Sequence, residues 1–172
     1  MKKAMIDYIR KNPCDEFYTP EIAIRPLLKY IPNNIKTIYE CTDDGNSNIT
    51  KFFIEHGYNV VSTHIKTGFD FLRHDPYFDY DCIITNPPYS MKDQFIERCY
   101  MLGKPFALLM PLTALEGKKR NELYRKYGIS VLILDSRINF MDNKRSPWFA
   151  VAWFMWRFGE ENRLYFEAIP TY

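Results

Sequence analysis

The segment Asn86-Pro87-Pro88-Tyr89 constrains this 172-residue chain more than any other. It follows an apolar run, Cys82-Ile83-Ile84-Thr85, and precedes a charged stretch with helical spacing. Two consecutive prolines offer no N–H to a ladder, so a central strand must end there. They make a stiff elbow just past the strand. The elbow presents an amide side chain, carbonyls without competing N–H groups, and one aromatic ring. That set suits an exocyclic amine on a flat base: the acceptors take its N–H bonds and the ring stacks on its face. The plainer reading of the same residues is a rigid strand-to-helix turn.

Around the elbow, apolar runs alternate with helical patterns. Residues 37–42, 59–65, 80–85, 106–110, 130–135 and 149–158 read as strands, with 69–72 as a very short further one. Residues 50–56, 92–102 and 117–127 read as helices, the second with Phe95, Ile96, Cys99 and Leu102 on one face. This alternation predicts an α/β fold: a Rossmann-like, mostly parallel sheet of six to seven strands with helices on both faces. Residues 1–172 are expected to form one domain, with no room for a second. In such sheets ligands bind beyond the carboxyl ends of the strands. Asp43-Asp44-Gly45, His64, Asp70 and Asn86–Tyr89 all fall at those ends.

Hydrophobic residues make up 47% of the chain and aromatics 17%, which excludes a disordered polymer. No run of 18 apolar residues exists, and the N-terminus lacks the apolar stretch of a signal peptide, so a cytoplasmic location without membrane contact is expected. Cys14, Cys41, Cys82 and Cys99 are widely spaced, with no C-x-x-C pair. They read as reduced thiols, not as a metal site or a disulfide frame. A net charge of +2 says little about partners, so local basic groups matter more. Lys92, Lys118-Lys119-Arg120, Arg125-Lys126 and Lys144-Arg145-Ser146, with Trp148, could meet phosphates. A solvated helix face is the alternative for each run. The stripe Trp148, Trp153, Trp156 reads as sheet packing.

Taken in order along the chain, these elements resemble the short phage-type DNA adenine N6-methyltransferases. The strand followed by Asn86-Pro87-Pro88-Tyr89 matches that family's amine-holding motif. Asp15-Glu16-Phe17-Tyr18-Thr19-Pro20 is similar to its N-terminal Y-T-P cofactor segment. Residues 39–45 sit where the family has its glycine-rich loop, and Ser146-Pro147-Trp148-Phe149 leading into Ala152-Trp153-Phe154 is similar to a late segment of the phage members. The resemblance implies S-adenosylmethionine as cofactor, DNA as partner, host cytoplasm if phage-encoded, and a flipped adenine held by Asn86, Pro87, Pro88 and Tyr89. It implies cofactor contacts from Tyr18, Thr19, Pro20, Glu40, Asp43, Asp44, Gly45, His64, Asp70 and Phe71. A homodimer or a partner subunit would then supply specificity.

Two elements depart from the family pattern. The glycine loop holds one glycine, Gly45, where two are usual; Asn46 is expected to take a positive φ in its place. The end of the second strand usually carries an acid for the ribose hydroxyls, and here it carries His64. A methyltransferase fold that has lost its cofactor and binds nucleic acid or another partner is therefore a second reading. An amino-methyltransferase acting on RNA, a nucleotide or protein glutamine is a third.

Overall fold

In the computed structural model, the described residues are 18–140 and 149–169. Asp15–Phe17 of the Y-T-P segment, Cys14, and the group Lys144, Arg145, Ser146 and Trp148 lie outside them.

Seven strands form one sheet: β1 (Thr37–Glu40), β2 (Asn59–Ser62), β3 (Cys82–Thr85), β4 (Phe106–Pro111), β5 (Ser130–Leu134), β6 (Val151–Trp156) and β7 (Leu164–Glu167). Their order is β2-β1-β3-β4-β6-β5-β7. Parallel pairs join β1 to β2 and β3, β3 to β4, and β5 to β7. Only β6 runs against the rest, paired antiparallel with β4 and β5. The helices are α1 (Glu21–Ile24, continuing as a 3-10 helix over Arg25–Tyr30), α2 (Asn48–Glu55), α3 (Lys92–Leu102) and α4 (Lys118–Tyr127). No helix among the described residues is long and apolar enough to cross a membrane.

Both faces of the sheet are covered, as a mostly parallel sheet requires. Strand β4 shows the alternation directly. Ala107 and Leu109 pack with Ala23, Ile24 and Leu27 and with Ile49, Phe52 and Phe53 of α2. Phe106, Leu108 and Met110 pack on the opposite face with Phe95, Ile96 and Cys99 of α3. Each of these large side chains stabilises the fold by about 1.5–3 kcal/mol. Trp153 is fully buried on β6, and its indole N–H donates to the Ala23 carbonyl at 2.7 Å. That bond ties α1, and the Tyr18–Pro20 segment before it, to the sheet. Trp156 is buried too and donates to the Tyr127 carbonyl.

Two expectations change. The apolar run 69–72 is a turn, not a strand. The Asp70 carboxylate accepts from the Leu72 amide, and its carbonyl accepts from the Arg73 and His74 amides. The seventh strand is instead β7 at the opposite edge, a four-residue segment whose Leu164 and Phe166 stay exposed.

The chain order fixes where a ligand can bind. From β1 the chain passes to β2 on one side and then returns to β3 on the other. The loops after β1 and β3 therefore part in opposite directions and leave a crevice at their carboxyl ends.

Candidate active site

The crevice is an open cavity with about 130 Å³ of room inside it. Its wall carries Tyr18, Thr19, Glu40, Asp44, His64, Asp70, Phe71, Asn86 and Pro88. These come from five separate stretches of the sequence. Asp43, Gly45, Pro20, Pro87 and Tyr89 are not on that wall. Pro20 instead starts α1, with φ −67° and ψ 146°.

The loop after β1 is organised by two carboxylates. Glu40 is 1% exposed. Its Oε1 accepts from the Thr42 amide at 2.9 Å and lies 2.5 Å from the Thr85 hydroxyl; its Oε2 accepts from Ser47 Oγ at 3.1 Å. Burial pushes its carboxyl up to about 7, although all these donors favour the charged form. Asp43 reaches inward under the loop. It accepts from the Gly45 amide at 2.7 Å, the Ser47 amide at 2.9 Å and the Thr50 hydroxyl at 2.7 Å. Burial alone would raise its carboxyl, but these bonds outweigh it and hold it low. Ser47 then caps α2, accepting from the Ile49 amide.

Gly45 takes φ +103°, a conformation that favours glycine. Asn46 does not share that role: among the described residues only Arg157 and Asn162 are non-glycines at positive φ. The loop makes its turn with a single glycine because Asp43 collects the amides that follow.

The elbow after β3 is held differently. Thr85 and Thr42 hydroxyls lie 2.7 Å apart, and Thr42 Oγ1 reaches the Asn86 carbonyl at 3.4 Å. This hydroxyl latch joins the two loops across the crevice. Thr85 ends the apolar run Cys82-Ile83-Ile84-Thr85, but its partner lies 43 positions away in sequence. The Asn86 side chain lines the crevice. Tyr89 is only 9% exposed and meets Phe149 edge-on, ring centroids 5.6 Å apart. Its ring thus packs in the core, where the sequence reading has it presented to a base.

His64 caps a short 3-10 turn over Ile65–Thr67, accepting the Lys66 amide on Nδ1 at 3.0 Å. Phe71 is buried and stacks on Phe95 with centroids 5.1 Å apart. Phe95, Met91, Ile49 and Ile65 complete the apolar wall. The helical spacing of Phe95 reads equally well as core, and Met91, Ile49 and Ile65 fall at the edges of the elements, so sequence did not mark them.

The basic residues separate. Lys92 opens α3 beside the elbow, its ammonium 3.4 Å from the Tyr89 carbonyl. Lys118 and Lys119 start α4, which follows the carboxyl end of β4 on the crevice side of the sheet. Arg125 and Lys126 lie at the far end of that helix. Arg120 is committed to the fold: it pairs with Asp93 and donates to the Ala114 and Glu116 carbonyls. No cluster of three metal-ligating side chains occurs among the described residues. Cys41, Cys82 and Cys99 are buried free thiols.

A seven-stranded sheet with one antiparallel strand and a crevice at the β1–β3 switch defines a Rossmann-like α/β fold. No family model and no curated protein matches the sequence. Among solved structures, a modification subunit attributed to a type I restriction enzyme from Vibrio vulnificus YJ016 aligns with 99% of this chain and 51% of its own, at TM-score 0.50 and 11% identity. The chain thus spans about half of that subunit. The 23S rRNA methyltransferase ErmE aligns over 86% of this chain and 72% of its own, at TM-score 0.48 and 14% identity. A predicted O-methyltransferase from Agrobacterium tumefaciens covers 83% of each chain at TM-score 0.44 and 11% identity. At such identities the likeness is one of fold.

Proposed function

We propose that this crevice is the active site of an S-adenosylmethionine-dependent methyltransferase acting on adenine N6 in DNA. The observation that carries the reading is the convergence of Asn86 with Thr19, Glu40, Asp44 and Asp70 on one wall. Amine acceptor and nucleoside-binding groups come from distant sequence and meet at the switch point.

The residues fit the cofactor by a feature of their own. Thr19 is 2% exposed and its hydroxyl is buried with no partner among the described residues. A polar ligand group beside it would remove the cost of that unmet bond. Phe71, Phe95 and Ile65 offer apolar surface for an adenine ring. When bound, the sulfonium group supplies an already activated methyl, so the protein needs no nucleophile of its own.

The chain's task is then positioning. The Asn86 side-chain oxygen and the Pro87 carbonyl accept from the target amine and favour a tetrahedral nitrogen with a free lone pair. Prolines at 87 and 88 keep that geometry stiff, and the Thr42–Thr85 hydroxyl contact ties the end of β3 to the loop after β1. Stacking on Tyr89 requires Phe149 to withdraw. In duplex DNA the base must leave the stack, at roughly a few kcal/mol. Lys92, Lys118 and Lys119 supply phosphate contacts, as do Lys144 and Arg145. The fold shared with a restriction-modification subunit supports sequence specificity coming from a second chain.

A non-catalytic binding module is the second reading. It is favoured by the way Asp43 takes the Gly45 and Ser47 amides that would otherwise face a ligand. Transfer of labelled methyl to adenine-containing DNA separates the two readings. Label on N6 supports the enzyme; DNA binding with neither cofactor binding nor label supports the module.

A further inference from the structure

Three acids reach the crevice wall, and two of them are committed to the fold. Glu40 is enclosed by Thr42, Ser47 and Thr85. Asp70 accepts from the Leu72 amide at 3.0 Å and pairs with Arg73 at 3.3 Å. Asp44 differs. Its partners stand far off: the Tyr18 hydroxyl at 3.3 and 3.4 Å, the Asn46 amide at 3.4 Å and the Lys66 ammonium at 3.7 Å. A hydroxyl donating to a carboxylate normally closes to about 2.5–2.7 Å. Asp44 is therefore a carboxylate on a ligand wall with its best bonds still to make.

Its location says what those bonds are. The loop after β1 is zipped onto the end of β2: the Thr63 amide donates to the Glu40 carbonyl and the Asp43 amide to the Thr63 carbonyl, both at 3.1 Å. Asp44 is thereby delivered beside His64, where a Rossmann-like nucleoside site needs an acid for two neighbouring hydroxyls. His64 cannot be that acceptor. With Nδ1 taking the Lys66 amide, its proton sits on Nε2, and that nitrogen is a donor.

Resting on the cofactor reading above, we infer that Asp44, from the loop after β1, accepts both ribose hydroxyls of the bound nucleoside. The diol-binding acid has moved from one strand end to its neighbour, and the histidine at 64 follows from that move. Lys66 and Tyr18 hold the carboxylate in place until the ligand arrives.

Calorimetric titration of the full chain with S-adenosylhomocysteine and its 2′,3′-dideoxy form tests this. The wild type should bind the diol form roughly tenfold to a hundredfold more tightly, the worth of hydrogen bonds to a charged acceptor. Asp44→Asn and Asp44→Ser should lose that preference while binding the dideoxy form as the wild type does. His64→Asp should fail to tighten binding, because it sets a second carboxylate beside Asp44. A preference that survives both Asp44 substitutions, or tighter binding by His64→Asp, overturns the inference and leaves the cofactor reading standing. Absence of heat with either compound on folded wild-type protein overturns both.

Discussion

The loop after β1 is held by two carboxylates, whereas the elbow after β3 is held by two prolines and by packing. Glu40 and Asp43 together gather the amides of Thr42, Gly45 and Ser47 and the hydroxyls of Ser47, Thr50 and Thr85. At the elbow, the rings of Pro87 and Pro88 set the path, and the buried Tyr89 packs edge-on against Phe149. One wall of the crevice is therefore sensitive to pH and to loss of single polar atoms. The other is stiff and largely indifferent to both. On the proposed reading, a positioning catalyst would gain from this division: the amine acceptors would stay fixed while the nucleoside side could adapt.

The contrast breaks first at Asp43. Asp43→Ala removes one acceptor from two amides and a hydroxyl, and should cost about 2–3 kcal/mol in urea unfolding. A loss under 0.5 kcal/mol, measured beside Pro88→Ala as the elbow control, would mean the loop holds itself.

Glu40 gives a comparable effect, read through pH. Its folded carboxyl sits near 7, above its unfolded value of about 4.5, so the folded state binds more protons between these limits. Stability should accordingly fall as pH rises from about 4.5 to 7, by about 3 kcal/mol from this group. Glu40→Gln should flatten that slope, and equal slopes in the two proteins would contradict the placement of Glu40.

The latch between the walls is worth less. Thr85→Val keeps the shape but removes the hydroxyl that meets both Glu40 and Thr42, and should cost about 1–2 kcal/mol. Its effect on turnover should exceed its effect on cofactor binding, because the Asn86 carbonyl lies on the elbow side. The smallest change concerns DNA. Lys119→Ala should weaken binding equally across sequences and lower the salt slope by about 1. Arg120→Ala should instead lower thermal stability, since its guanidinium is bonded within the fold.

The same division explains what the sequence reveals. The elbow is legible because proline acts locally, and α3 matches residues 92–102 because its apolar spacing is regular. The run 69–72 misleads because Phe71 and Leu72 are apolar for a cavity wall, not for a ladder. Strand β7 and helix α1 have four residues each, too few for a period to show. The Thr42–Thr85 latch joins residues 43 positions apart. Nothing local announces it, nor that Asp44 lies beside the end of β2. Asn46 fails to take a positive φ for a reason visible only in three dimensions: Asp43 already turns the loop.

The central claim is that Asn86 holds an adenine amine beside a methyl donor. Transfer of labelled methyl from S-adenosylmethionine to adenine-containing DNA, compared between wild type and Asn86→Ala, tests it most directly. The account predicts label on adenine N6 with the wild type and a loss of about 10²–10³-fold with Asn86→Ala, at unchanged melting temperature. Equal transfer by both proteins, or none by a folded wild type, would contradict it.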